Sequence, residues 1–313
     1  MAAPSIDILL GTYNGARHLR AQVDSLLAQE GVSFHILLRD DGSADDTAAI
    51  VEEYRRARPD LVARIDGSDN LGLVGNFARL LGETSAPYAA LCDQDDVWAP
   101  SKLRILLKAM HDLERRHGAD TPLLVHSDLT VVDETLREQH PSFWRFSGFD
   151  PRRANLARLL LKNTVTGCAS LVNLALIKLA LPIPQTALLH DYWLALVGAA
   201  AGHIGTVGEP LVAYRQHQRN IIGASPYDWR SAVARIAGGL KTWDIGARRR
   251  QAAALLERCQ SFIKPEDRAL LEDFIGLPNR NWLGRRWILL RHGILMPGIM
   301  RNLALFFFTR LGV

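Results

Sequence analysis

The chain has 313 residues, 48% apolar and 22% charged, an ordinary globular balance that speaks against disorder and allows one large domain with or without an appendage. Three scattered cysteines, Cys92, Cys168 and Cys259, are too few for a disulfide framework or a zinc site and point to a reducing compartment. The net charge of +4 is uneven: residues 230–313 hold fifteen Lys and Arg against six Asp and Glu, so the preceding part is acidic.

The chain enters an apolar run directly after Ser5, with no basic region ahead of a long apolar stretch, so no secretory signal is expected. Ile6 to Gly11 reads as a buried strand, followed by a helix with Leu19, Val23, Leu26 and Leu27 on one face. Phe34 to Arg39 is the second strand. Ser43, with Asp46 three residues on, reads as a capping box that opens a helix through Ile50, Val51 and Tyr54. Leu61 to Ile65 is a short third strand, and Leu73, Phe77, Leu80 and Leu81 repeat the helical spacing. Tyr88 to Cys92 is the fourth strand, Pro100 to about His117 a helix with Pro near its first turn, and Leu123 to Ser127 the fifth strand. The alternation predicts an α/β fold whose mainly parallel central sheet is flanked by helices on both faces. Residues 141–225 are less regular. A helical pattern resumes at Tyr227, so a boundary near Pro226 divides the chain into 1–225 and a helical C-terminal extension, 226–313.

Parallel sheets bind ligands at the carboxyl ends of their strands, and the polar clusters fall there. Thr12-Tyr13-Asn14 follows the first strand, Asp40-Asp41-Gly42-Ser43 the second, and Asp93-Gln94-Asp95-Asp96 the fourth. Carboxylates packed as tightly as Asp93, Asp95 and Asp96 repel one another unless a cation neutralises them, and oxygen ligands of this type suit Mg²⁺ or Mn²⁺. A solvated acidic turn capping the next helix is the competing reading. Asp41 fits both a turn and an acceptor for a base or ribose. Asn70 and Gly72 fit a turn as well as a ligand contact. Asp191 opens an apolar helix-like run, as a cap or as a general base; His190 beside it reads better as a structural histidine. Arg215 and His217 fit a surface loop, or a diphosphate clamp and a metal shell. There is no G-x-G-x-x-G after the first strand and no G-x-x-x-x-G-K-[ST], against a dinucleotide oxidoreductase and a P-loop NTPase.

Several short motifs taken in order resemble the family-2 glycosyltransferases of the GT-A fold, and more narrowly bacterial rhamnosyltransferase-like members that build surface polysaccharides. They are Gly11-Thr12-Tyr13-Asn14-Gly15, Arg39-Asp40-Asp41-Gly42-Ser43, Asn70-Leu71-Gly72 with Asn76, Cys92-Asp93-Gln94-Asp95-Asp96-Val97-Trp98, Lys102, His190-Asp191 with Trp193, and Tyr214-Arg215-Gln216-His217. The resemblance implies a nucleotide-diphosphate sugar donor, dTDP-rhamnose before UDP-hexoses, and a glycan or lipid-linked acceptor. It places Thr12, Tyr13 and Asp41 at the base and ribose, with Asn14, Asn70, Asn76, Asp93 and Arg215 completing the donor site. Asp95 would bind the divalent cation, helped by Asp96 and His217. Asp191 would take the acceptor's proton in a single inverting displacement. A catalytically silent nucleotide-sugar-binding module would not need Asp191 as well as the D-x-D acids. A sugar-nucleotide pyrophosphorylase would carry a Gly-rich basic loop that is not found here.

From Leu277 onward the sequence has six arginines and no acid, mixed with Trp282, Trp287, Phe306, Phe307 and Phe308. Arg291, Pro297 and Arg301 break this stretch too often for a membrane span. Charge on such a tail suits a membrane surface better than nucleic acid. Two readings remain: an interfacial helix that brings a cytoplasmic enzyme to the inner face of the membrane, or a helical subdomain or homo-oligomer contact that packs its aromatics inside.

Overall fold

The computed structural model describes residues 6–67, 69–151, 154–217, 244–296, 302–303 and 305–306. Ile6–Thr12 forms β1 and Phe34–Asp40 forms β2, both buried along nearly their whole length, as strands covered on two faces must be. Their side chains divide by alternation. Ile6, Ile8 and Leu10 enter one core, whereas Leu9 enters the other. Helices α1 (Ala16–Leu27), α2 (Thr47–Ala57) and α4 (Lys102–His117) fill the first core with Leu19, Val23, Ile50, Leu103 and Leu106. Helices α3 (Gly72–Gly82), α7 (Leu174–Ala180) and α8 (His190–Ala201) fill the second with Phe77, Leu80, Leu176 and Trp193. Two short helices, α5 (Phe143–Ser147) and α6 (Leu156–Leu159), lie between α4 and α7 in the chain.

The α/β sheet is parallel throughout its first half and mixed beyond it. β3 (Val62–Arg64), β2, β1 and β4 (Tyr88–Cys92) run parallel in that order. Next comes β8 (Ser170–Asn173), antiparallel to β4 and to β6 (Leu123–Val132). β9 (His203–Arg215) is parallel to β6, and β5 (Val97–Trp98) and β7 (Glu138–His140) pair antiparallel with β9 and β6. The sheet is therefore mixed. β5, β7 and β8 are two to four residues long, too short to carry a period. Gly205, Gly208 and Pro210 interrupt the pattern of β9.

The capping box at Ser43 does not form. Helix α2 begins at Thr47 without a side-chain cap from Asp46. The Ser43 hydroxyl instead accepts from Asn14 N at 2.8 Å and donates to Asp40 Oδ1 at 2.5 Å. Its bonds run between strand ends rather than along a helix.

Among the described residues after 243 the chain forms three further helices: α9 (Ile245–Cys259), α10 (Pro265–Ile275) and α11 (Trp282–Arg291). Ala252, Leu255, Phe274 and Leu289 share one core with Trp193 and Leu196 of α8. Arg248 Nε donates to Leu161 O at 2.8 Å, and Leu188 N to Gln251 Oε1 at 2.7 Å, tying α9 to the sheet-bearing part. The expected boundary near Pro226, and the start of the helical pattern at Tyr227, lie outside the described residues. No helix among the described residues is long and apolar enough to cross a membrane.

Candidate active site

Loops from the carboxyl ends of β1, β2 and β4 converge on a cleft of about 1310 Å³. Thr12, Tyr13, Asn14, Asp41, Asn70, Asn76, Asp93, Asp95, Asp191 and His217 all line it. Residues up to 205 positions apart in the chain thus meet at one rim, as open parallel sheets arrange.

At one end, the β1 and β2 loops are locked together. Thr12 Oγ1 donates to Asp40 Oδ1 at 3.0 Å, and Asp41 N donates to Thr12 O at 2.8 Å. Asn14 adopts φ 48°, and its Oδ1 accepts from Ala44 N at 2.8 Å. Buried Arg39 donates through Nη1 to Asp41 Oδ1 at 2.6 Å and to Asn76 Oδ1 at 3.0 Å, and through Nη2 to Asp69 O at 2.9 Å. Asp41 Oδ1 also accepts from Leu71 N at 2.8 Å. One oxygen of Asp41 is thereby spent on the scaffold, while the residue still lines the cleft. Tyr13 is 50% exposed above it.

The acidic loop after β4 is held from both sides. Gln94 Oε1 accepts from Tyr13 N at 2.8 Å, and Gln94 Nε2 donates to Tyr13 O at 2.9 Å, a side-chain amide imitating a strand pairing. A Cβ on Gly15 would lie 2.1 Å from Gln94 Oε1, so only glycine permits that approach. Asp95 Oδ2 lies 2.7 Å from His217 Nε2, and the His217 ring stacks against His18 at 5.4 Å. Burial pushes the Asp93 carboxyl well above the usual carboxylate range, and the charges of Asp95, Asp96 and Asp191 push it further. Lys102 lies beneath, fully buried, its ammonium 3.0 Å from the Trp98 ring centroid and bonded to Cys168 O at 2.5 Å. Burial lowers its pKa to about 7.

Asp96 and Arg215 do not line the cleft. Asp96 is buried behind the loop, where Oδ1 accepts from Arg215 N at 3.0 Å. Burial, with the charge of Asp95, raises its pKa to about 7. Its carboxyl, that of Asp93 and the Cys168 thiol place donor atoms within 4.8 Å of one another. Burial drives the Cys168 thiol well up, so it keeps its proton and makes a poor partner for a hard cation. Arg215 Nε donates to Asp95 O at 2.7 Å and Nη1 to Glu134 O at 2.5 Å, so its guanidinium braces the D-x-D backbone.

Across the cleft, α8 begins at His190. The His190 ring stacks on Phe77 at 3.7 Å, with burial lowering its pKa to about 3, which makes it a packing element. Asp191 accepts from Tyr192 N at 2.6 Å and from Gly167 N at 3.0 Å. Burial outweighs these bonds and raises its pKa to about 6. A carboxylate of that basicity, fixed at a cleft wall, can take a proton near neutral pH. His18, Gln94 and Gly167 also line the cleft but carry no sequence signal of their own, apart from the place of Gln94 inside the acidic motif.

The family model described as Glycosyl transferase family 2 matches residues 7–175. The chain spans 59% of the length of the first mycobacterial relatives, which are 26% identical over 229 residues. The dTDP-rhamnosyl transferase RfbG of Shigella flexneri is 23% identical over 69% of this chain and 74% of its own. Among solved structures, S. aureus TarS 1-349 in complex with UDP-GlcNAc covers 92% of both chains at 16% identity and a TM-score of 0.55. The mannosyltransferase PcManGT of Pyrobaculum calidifontis, in complex with GDP-Man and Mn²⁺, covers 97% of this chain and 79% of its own at 14% identity and a TM-score of 0.54. These likenesses establish a GT-A type of α/β fold. The family match takes in more than half of the chain, including all three loops that floor the cleft, and so the chain belongs to glycosyl transferase family 2.

Proposed function

We propose that this chain transfers a sugar from a nucleoside-diphosphate donor to a hydroxyl acceptor with inversion at the anomeric carbon. One observation carries the reading. The same cleft is lined by a buried carboxyl of raised pKa, Asp191, and by the Asp95 carboxyl paired with the His217 imidazole at 2.7 Å. Thr12, Tyr13, Asn14 and Asp41, with Asn70 and Asn76, form the nucleoside end of the donor site. Asp93 lies between that end and the diphosphate.

The donor set fits a divalent cation such as Mg²⁺ or Mn²⁺. Asp95 Oδ2 and His217 Nε2 approach within 2.7 Å and both line the cleft, so one ion could be bitten by the two. Bound there, the ion would offset charge growing on the departing diphosphate, and no protein acid would be needed. Asp96 and Arg215 act from behind, fixing the loop that carries Asp95. Asp191 receives the acceptor's proton while the Gly167 and Tyr192 amides hold its two oxygens in place. A glycan or lipid-linked acceptor in surface-polysaccharide synthesis is the proposed partner, with the cytoplasm as the place of reaction. The RfbG relative supports dTDP-rhamnose as first donor to test, and the TarS and PcManGT complexes make UDP- and GDP-sugars the comparisons.

A thermal-shift screen of nucleoside diphosphates and their sugars, with and without Mg²⁺ or Mn²⁺, tests the reading. A donor at a hundred times its Kd adds about 2.7 kcal/mol of stability, a measurable shift. A metal-dependent shift names the base, and radiolabelled transfer from that donor follows. No shift with any of them, from folded protein, sinks the proposal.

A further inference from the structure

The outer face of α11 is apolar, exposed and ringed by arginine. Trp282, Leu283, Trp287 and Leu290 are 52%, 69%, 57% and 61% exposed. At about 100° per residue these four fall within about 140° of the helix surface. Ile288 and Leu289 hold the other side in the core. Clustering of large exposed apolar groups on one side of a helix is not ordinary surface scatter.

The charge around this face has one sign. Residues 277–296 contain Arg280, Arg285, Arg286 and Arg291 and no acid. Arg286 lies over the Trp282 ring at 4.4 Å and Arg291 over the Trp287 ring at 5.0 Å. The neighbouring acid, Asp273 of α10, is engaged by His292 at 2.9 Å, with Arg280 and Arg291 at 3.8 and 3.9 Å. The guanidinium groups of Arg285 and Arg286 donate to the carbonyls of Leu277, Pro278 and Phe306, which holds both heads against the protein. Tryptophans backed by arginines, with leucines between them, match the boundary between lipid headgroups and acyl chains. A second copy of the chain is a poorer occupant. Pairing this face with itself would set the same arginines against one another.

We propose that α11 docks the protein on the surface of an anionic lipid bilayer, with Trp282, Leu283, Trp287 and Leu290 entering the interface and the exposed Arg280 and Arg291 meeting headgroup phosphates. The contact is peripheral. It does not depend on the identity of the sugar donor, so it stands or falls separately from the glycosyltransfer reading.

The test is flotation of the full chain with two kinds of vesicle, phosphatidylcholine alone and equal parts phosphatidylcholine and phosphatidylglycerol. The wild-type chain should float with the anionic vesicles at least about tenfold better than with the neutral ones, and high salt should reduce this. L283E/L290E should lose at least about tenfold in partition while keeping the wild-type melting temperature. If that pair fails to fold, W287S/L290S serves instead, since both side chains are more than half exposed. A wild-type chain that does not float, or a folded variant that floats as well as wild type, overturns the proposal. So does a wild-type dimer in sedimentation that these substitutions dissociate, since a second copy would then own the face.

Discussion

Replacing Asp191 by Asn separates catalysis from stability in opposite directions. Burial raises its pKa from 3.8 to about 6. The folded state therefore holds this proton more tightly than the unfolded chain does. Stability on this account is fully present below about pH 4, and is lost as pH rises towards 6. Above pH 6 the ionised carboxylate costs the fold about 3 kcal/mol. Asn removes that cost. It also turns an amide N–H towards one of the two backbone donors, Gly167 N or Tyr192 N, at about 1–2 kcal/mol. The net expectation is a variant about 1–2 kcal/mol more stable at pH 7.5, with the gain shrinking to nothing or reversing near pH 4. Turnover should fall about 10²–10⁴-fold, or about 2.7–5.4 kcal/mol of activation energy. The wild-type rate should climb with pH through about 6 and then level, because only the carboxylate accepts a proton. Thermal melts at several pH values, alongside radiolabelled sugar transfer, measure both quantities. Turnover within tenfold of wild type would refute the base assignment. A D191N protein that melts well below wild type at pH 7.5 would refute the claim that burial strains this carboxylate.

Asp95→Ala and His217→Ala should each weaken donor binding at least about tenfold in the presence of Mn²⁺, while binding without metal stays as in wild type; calorimetry in the two buffers checks this, and equal losses in both would remove the metal role. Gly167→Ala places a Cβ 3.1 Å from Asp191 Cβ and 3.3 Å from its Oδ2, so it should cut turnover at least about tenfold with little change in donor affinity. Unaltered turnover in G167A would show that the carboxylate's position is not critical. Arg39→Met strips the buried partner of Asp41 and Asn76, and should lower stability by about 3–5 kcal/mol in a denaturant titration. A loss under about 1 kcal/mol would mean that the Arg39–Asp41 pair contributes little beyond what a hydrophobe supplies.

The parallel half of the fold was legible because its strands announce themselves. β1, β2 and β4 are continuous apolar runs, and the helices between them repeat at helical spacing. In the mixed half only β6 was legible. β8 follows directly from a one-turn 3-10 helix over Gly167–Ala169, and β5 is only Val97–Trp98. Such strands are specified by the partners they meet, not by a local pattern. Ser43 shows the same limit from the other side. Its sequence neighbours spell a helix cap, but Asn14 and Asp40, 29 and 3 residues away, take its hydroxyl.

The acidic motif shows how far residue type alone goes in choosing a site. Asp93, Asp95 and Asp96 look alike in the sequence, and their tight spacing suggests only that a cation neutralises them. The loop bends at Gln94 and Asp95. Asp93, Gln94 and Asp95 line the cleft, and Asp96 points behind it. There Asp96 accepts from Arg215 N, and Arg215 Nε returns a bond to Asp95 O. The two residues form a clamp between β9 and the loop after β4. His217 follows Arg215 by two positions, so the same clamp that fixes Asp95 also delivers His217 to it at 2.7 Å. In this arrangement Asp96 and Arg215 bring the proposed metal-binding pair together without lining the cleft themselves.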